Sequence, residues 1–166
     1  MSRGYLILED GHVFSGERFG AAGEADGELV FTTGMTGYLE TLTDPSYYGQ
    51  LVVQTFPLIG NAGVIPADFE SGQPALRGYI LREWCRDPSN FRSEGGLDTF
   101  LKERGVPGLC GVDTRAITRL VRERGVMNAR IAGSPECDLE RLRTLRLAGA
   151  VQAVGCREKE LCGAPD

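Results

Sequence analysis

Short runs rich in β-branched and aromatic residues, separated by Gly, Pro and Asp clusters, dominate the first half of the chain, the pattern of strands and turns. The runs are "YLILE" (5–9), "HVFSG" (12–16), "ELVFTT" (28–33), "LVVQTF" (51–56) and "GYILRE" (78–83). Two shorter ones, "GLCGV" (108–112) and "MNARI" (127–131), lie further on. Asp10-Gly11 separates the first two runs. That dipeptide predicts a type I′ hairpin turn, in which both central residues take positive φ. Pro57 stops the fourth run, because proline has no N–H for a ladder.

A helical period appears later. Leu97, Phe100 and Leu101 stand at i, i+3 and i+4, with Asp98 able to cap and Gly105 to terminate. The clearest helix is 113–125, "DTRAITRLVRERG". Its Ala116, Ile117, Leu120 and Val121 share one face, Asp113 or Thr114 serves as cap, and Gly125 closes it. A further helix is predicted over 134–149, from a Ser134 cap and Pro135 at the first helical position, with Leu139, Leu142 and Leu145 on one side. Residues 151–166 lose the pattern and read as a linker or frayed end, leaving one domain over 1–150. Strands first and βα units later predict an α/β or α+β layered domain.

Composition narrows the class. With 42% hydrophobic residues in 166, the chain can bury a core. A net charge of −5 and a pI near 5.0 argue against nucleic acid as a partner. No apolar run approaches the roughly 18 residues of a membrane span, and the acidic N-terminus does not read as a signal peptide. The five cysteines, without a CxxC pair and with a single histidine, read as reduced thiols of a cytoplasmic protein and not as a zinc site.

Candidate chemistry is sparse. "GLCGV" approaches the Gly-x-Cys-x-Gly elbow of a nucleophilic cysteine, but Val112 stands where the second glycine is needed for the chain to leave a strained turn. A thiol nucleophile also needs a base, and His12 is the only histidine. Cys110 therefore reads as a small core residue on a strand, and no catalytic residue is expected. No phosphate loop and no dinucleotide fingerprint occur. Arg115, Arg119 and Arg122 form an i, i+4, i+7 stripe, which is either a solvated helix face or a partner surface. The turn Asp44-Pro45-Ser46-Tyr47 fixes the backbone around Ser46. It is either purely structural or a device that presents the Ser46 hydroxyl.

The segments "MTGYLETLTDPSY", "TFPLIGNAG" (55–63), "SNFRS" (89–93) and "GVDTRAITRLVRERGVMNARI" (111–131), with Gln50 and "LEDGHVFSG" (8–16), occur in this order. Together they resemble the N-terminal domain of the small subunit of glutamine-dependent carbamoyl-phosphate synthetase. The resemblance runs almost to residue 150, with Thr32 where the family usually has Asn and Leu39 where it often has Gln. It implies a three-layer β/β/α domain of the swivelling kind with a mixed sheet. It also implies contact with the large, ATP- and Mg²⁺-using subunit, and a glutaminase domain of the same subunit lying beyond this chain. No cofactor is expected on this chain itself. By the same resemblance Ser46 contacts bound L-glutamine across the domain boundary, and the product, carbamoyl phosphate, serves pyrimidine and arginine synthesis. The competing expectation is a non-catalytic interaction module without an amidotransferase partner domain.

Overall fold

Every predicted apolar run becomes a strand, and the strands close on themselves. The computed structural model describes residues 2–156. It contains β1 (Arg3–Leu8), β2 (Val13–Gly20), β3 (Ala25–Thr32), β4 (Gln50–Gln54), β5 (Leu58–Ile59), β6 (Gly78–Ile80), β7 (Glu83–Trp84), β8 (Pro107–Cys110) and β9 (Met127–Ala132). Seven of them form a barrel in the order β1-β2-β8-β6-β4-β3-β9, with β9 pairing back onto β1. β5 and β7 make a separate parallel pair. The helices are α1 (Tyr38–Thr43), α2 (Leu97–Glu103), α3 (Thr114–Arg124), α4 (Leu139–Arg143) and α5 (Ala150–Val154).

The sheet is mixed, and its two halves differ in burial for a physical reason. β3, β4, β6 and β8 run parallel to one another, and the outer two of this group, β3 and β8, meet β9 and β2 antiparallel. Parallel strands need crossovers that cover their outer face, so they bury both faces. Accordingly Leu51, Val52, Val53, Tyr79, Ile80 and Leu109 are all wholly buried. β2, antiparallel to both neighbours, alternates between exposed and half-buried positions over most of its length.

Two apolar clusters result. Leu6, Leu8, Leu29, Leu51, Val53, Ile80, Leu109, Ala129 and Ile131 fill one, joined by Ile117 and Val121 of α3. Outside the parallel strands, Val52, Tyr79, Leu81 and Cys110 pack with Leu39 and Leu42 of α1 and with Leu97, Phe100 and Leu101 of α2. Each of these fully buried leucines contributes about 1.5–3 kcal/mol of transfer free energy. The two walls of sheet and the covering helices give the mixed α+β architecture that the pattern predicted.

Three local expectations are corrected. The turn at 9–11 is not type I′, because among the described residues none other than glycine has positive φ and of the pair only Gly11 does, at 93°. Instead Gly11 N–H donates to the Leu8 carbonyl and Leu8 N–H to the His12 carbonyl, 2.9 Å each, a three-residue loop that asks for positive φ only at its last position. Asp10 thereby keeps an ordinary backbone, and its carboxylate accepts from the His12 N–H at 3.0 Å and from Arg124 at 2.6 Å.

The helix predicted over 134–149 forms only at Leu139–Arg143, capped by Asp138, whose Oδ1 accepts from Arg141 N–H at 3.1 Å. It stops because buried Asn128 donates through Nδ2 to the Leu142 and Leu145 carbonyls at 3.0 and 3.2 Å, diverting acceptors that a longer helix would use. Of the three leucines only Leu142 is buried, so the apolar face that would hold a longer helix is missing. Finally, α5 adds a short helical turn where a linker was expected; the remainder of that segment, 157–166, lies outside the described residues.

Candidate functional site

The tetrapeptide at 44–47 folds into one 3₁₀ turn, Pro45–Tyr47. Asp44 Oδ1 accepts from Ser46 N–H at 2.8 Å, and the Asp44 and Pro45 carbonyls accept from Tyr47 and Tyr48 N–H at 3.2 and 3.1 Å. With backbone donors satisfied and Pro45 fixing φ, the turn is rigid. Ser46 is exposed at its tip, and its hydroxyl has no hydrogen-bond partner among the described residues. Gly49 follows with φ 74° and packs so closely against Leu147 that an added Cβ would stand 2.2 Å from its Cδ1. A side chain there is excluded on both counts.

The threonines around the turn are fasteners. Thr41 donates to the Gly37 carbonyl at 3.0 Å, and buried Thr43 donates to Leu39 at 2.7 Å while accepting from Glu70 N–H at 2.9 Å. Further on, Thr55 donates to the Thr32 carbonyl at 3.0 Å, and the Thr32 hydroxyl accepts from Gly34 N–H at 3.4 Å. Tyr38 adds a bond to the Gly63 carbonyl, and burial pushes its phenol up to about 12. Below the loop, Tyr79 O–H donates to Gln54 Oε1 at 3.2 Å, and Gln54 Nε2 donates to the Gly34 carbonyl at 3.1 Å. The segment 32–50 is thus sewn to 60–73 and to the barrel, leaving Ser46 free at one corner.

The arginine stripe lies elsewhere. α3 forms as predicted: Asp113 Oδ1 accepts from Ala116 N–H at 3.0 Å, Gly125 closes it, and Ile117 and Val121 point into the core. Arg115, Arg119 and Arg122 consequently face outward and line a cleft of ≈ 630 Å³ with Thr33, Thr55, Arg82, Thr118 and Glu123. These residues gather where β3, β4, β6 and β8 end, since Thr33, Thr55 and Arg82 each follow the carboxyl end of a parallel strand. Ser46 precedes β4 and Thr55 follows it, so the two predicted features sit at opposite ends of a strand spanning about 16 Å. They are separate surfaces. Arg82 was not legible as a member, because only the crossover from β6 places it opposite the helix.

Cys110 is 6% exposed on β8 within the outer apolar cluster. Burial, reinforced by Glu17, pushes its thiol up, away from the nucleophilic thiolate. Its register partner is Glu17, five residues along β2 from His12, so the histidine lies roughly 16 Å away along the strand. Cysteine and histidine are not brought together.

The sequence matches the family described as carbamoyl-phosphate synthase small chain, CPSase domain, over residues 6–131. It is 53% identical over 141 residues to the carbamoyl phosphate synthase small chain of Bacillus caldolyticus, covering 85% of this chain and 39% of that protein. The corresponding protein of Listeria monocytogenes serotype 4b (strain F2365) is 50% identical over 151 residues, covering 89% of this chain and 41% of its own. That of Bacillus cereus is 54% identical over 135 residues, covering 81% and 37%. The chain thus spans about 40% of the length of these relatives. Among solved structures, the aminopeptidase from Aneurinibacillus sp. strain AM-1 overlaps 78% of this chain and 30% of its own at 16% identity and a TM-score of 0.47, too distant to bear on function.

Proposed function

The chain belongs to the carbamoyl-phosphate synthase small-chain family, and from that premise we propose that it is the N-terminal domain of the small subunit of the glutamine-hydrolysing enzyme. In this reading it contacts the large subunit, abuts the glutamine site carried by the rest of the small chain, and helps direct glutamine-derived ammonia into carbamoyl phosphate. ATP and Mg²⁺ belong to the large subunit, the product serves pyrimidine and arginine synthesis, and the complex works in the cytoplasm. The domain alone hydrolyses no glutamine: Cys110 is buried, burial pushes its thiol up, and His12 is remote.

One observation carries the site assignment. Inside a match that covers residues 6–131, Ser46 is the exposed tip of a turn whose backbone is otherwise tied down. A hydroxyl held this way donates or accepts a hydrogen bond with little ordering cost. Its role is to bind and orient L-glutamine, with no part in bond cleavage. A carboxamide or ammonium reaching it across the domain boundary would meet a fixed partner.

Steady-state kinetics test this. In a small chain of the relatives' full length carrying this domain, Ser46→Ala should raise KM for glutamine about three- to tenfold, the worth of one neutral hydrogen bond. Ammonia-dependent synthesis, which bypasses glutamine, should stay at the wild-type rate, and the melting temperature should not move. Wild-type glutamine kinetics in the variant would remove Ser46 from the site. A joint fall in both activities and in melting temperature would make it a turn residue only.

A further inference from the structure

Of the fifteen arginines among the described residues, ten are engaged. Arg86, Arg92, Arg124, Arg130 and Arg143 pair with acids. Arg18, Arg77, Arg104 and Arg146 donate to carbonyls, and Arg3 lies over the Tyr5 ring. Among the described residues the guanidinia left without hydrogen bond, ion pair or ring contact are Arg82, Arg115, Arg119, Arg122 and Arg141. Four of these five line the one cleft at the carboxyl ends of the parallel strands, where Glu123 is the sole acid. Chance placement on a solvated face does not concentrate the unpaired cations of an acidic protein at one spot. We infer that this cleft is the docking groove for an acidic segment of the large subunit, whose carboxylates pair with Arg82, Arg115, Arg119 and Arg122.

The chemistry favours carboxylates carried on a protein segment over a single small anion. Guanidinium groups match carboxylates in a planar, two-bond geometry and are only weakly hydrated, so they tolerate burial in an interface. From Arg115 to Arg122 the helix advances about 10 Å. Three charges strung over that length suit several acids in sequence, whereas one phosphate would reach one or two of them. All four arginines are exposed, as an open protein-binding groove requires and an enclosed small-molecule site does not. Arg82 faces the helix from the strand side and makes the surface two-walled, so a docked segment is held from both flanks. Thr33 adds a hydroxyl along the groove, while those of Thr55 and Thr118 already donate to the Thr32 and Thr114 carbonyls and keep only acceptor capacity.

This inference rests on the proposed assembly with the large subunit, and the test separates the two. Association of the chain with the large subunit is measured at low and at physiological salt for the wild type, Arg82→Glu, Arg119→Glu and the exposed control Arg141→Glu, with a melting curve for each. The wild type should bind and weaken as salt rises, because the groove's pairs form at the expense of bound ions. Arg82→Glu and Arg119→Glu should each lower affinity by about tenfold or more with unchanged melting, while Arg141→Glu binds as wild type. Binding that neither salt nor these reversals affects overturns the groove and leaves the assembly standing. No wild-type binding at low salt overturns both. Titration with inorganic phosphate and with ATP supplies the rival outcome: saturable binding lost in Arg119→Glu, together with unchanged assembly, makes the cleft a small-anion site and also overturns the proposal.

Discussion

Arg130 and the cleft arginines show the same side chain put to opposite uses. Arg130 stands directly across the sheet from Asp26 in the β3–β9 ladder. Its Nη1 donates to both Asp26 oxygens at 2.9 Å, its other nitrogen bonds Glu24, and only 23% of its side chain is exposed. Register brings charges 104 residues apart in sequence into contact. On α3, by contrast, the helix period lines up three cations, and the strand end opposite supplies a fourth. Cross-strand pairing of opposite charges stabilises a sheet; a row of like charges facing solvent does not. The first region is satisfied within the chain, whereas the second leaves its cations without ion pairs among the described residues.

Breaking the finished region should cost the most. Arg130→Met leaves Asp26 and Glu24 side by side without their shared donor, a loss of about 1.5–3 kcal/mol for charge-assisted bonds in a half-buried site. Denaturant unfolding at neutral pH measures it, and a loss below about 0.5 kcal/mol would erase the contrast with the cleft. Acid sharpens the same point. The hydrogen bond from Arg130, against some desolvation, holds the Glu24 carboxyl below its ordinary value. A depressed carboxyl contributes stability above its unfolded pKa and loses it as pH falls through the folded one. The gap between wild type and Arg130→Met should therefore narrow as pH drops below about 4.

A smaller loss is expected at the hairpin. Burial works to raise the Asp10 carboxyl, but the His12 backbone and ring and the Arg124 guanidinium outweigh it and bring the value below the ordinary one. Asp10 thus ties the first turn to the end of α3, 114 residues away. Asp10→Asn keeps an acceptor for the His12 N–H and loses the ion pair, at a cost of about 0.5–1 kcal/mol near neutrality. By the same sign argument the penalty should fade in acid, where the wild-type carboxyl is itself protonated. A variant as stable as wild type at pH 7 would show that Arg124 is as idle as the cleft arginines.

The two regions also mark how far the sequence could be read. Apolar runs located all seven barrel strands, and the period over 113–125 located α3 with both of its ends, because each such element buries one face against the core. The resemblance singled out Ser46 as an expected contact, and in the structure that residue stands at an exposed tip. What escaped depends on long-range geometry. Barrel closure needs β9 to return to β1, and no local pattern encodes that. α1 is six residues long, too short to show a period. The helix over 134–149 failed because Asn128, on the strand just before it, takes its carbonyls. Arg82 looked like the end of a strand until the crossover set it beside α3.

Removing charge from the cleft should have the smallest effect on folding, and its sign is the sharpest test of the comparison. Arg115→Gln, Arg119→Gln and Arg122→Gln together leave the buried face of α3, Ile117 and Val121, untouched, and they remove three cations that form no ion pair within the described residues. Surface changes of this kind fall within about 0.5 kcal/mol, and here relief of mutual repulsion favours the variant. At low ionic strength the triple variant should melt at or slightly above the wild type. Raising salt screens the repulsion over about 8–10 Å near physiological strength, so the wild type should gain with salt and the variant should not, and the two curves should meet. Arg130→Met should show no such convergence, because its lost bonds are short and partly buried. A loss of more than about 1 kcal/mol in the triple variant at low salt would mean that the stripe is held by attraction within the fold, and then the cleft would be as finished as the Arg130 cluster.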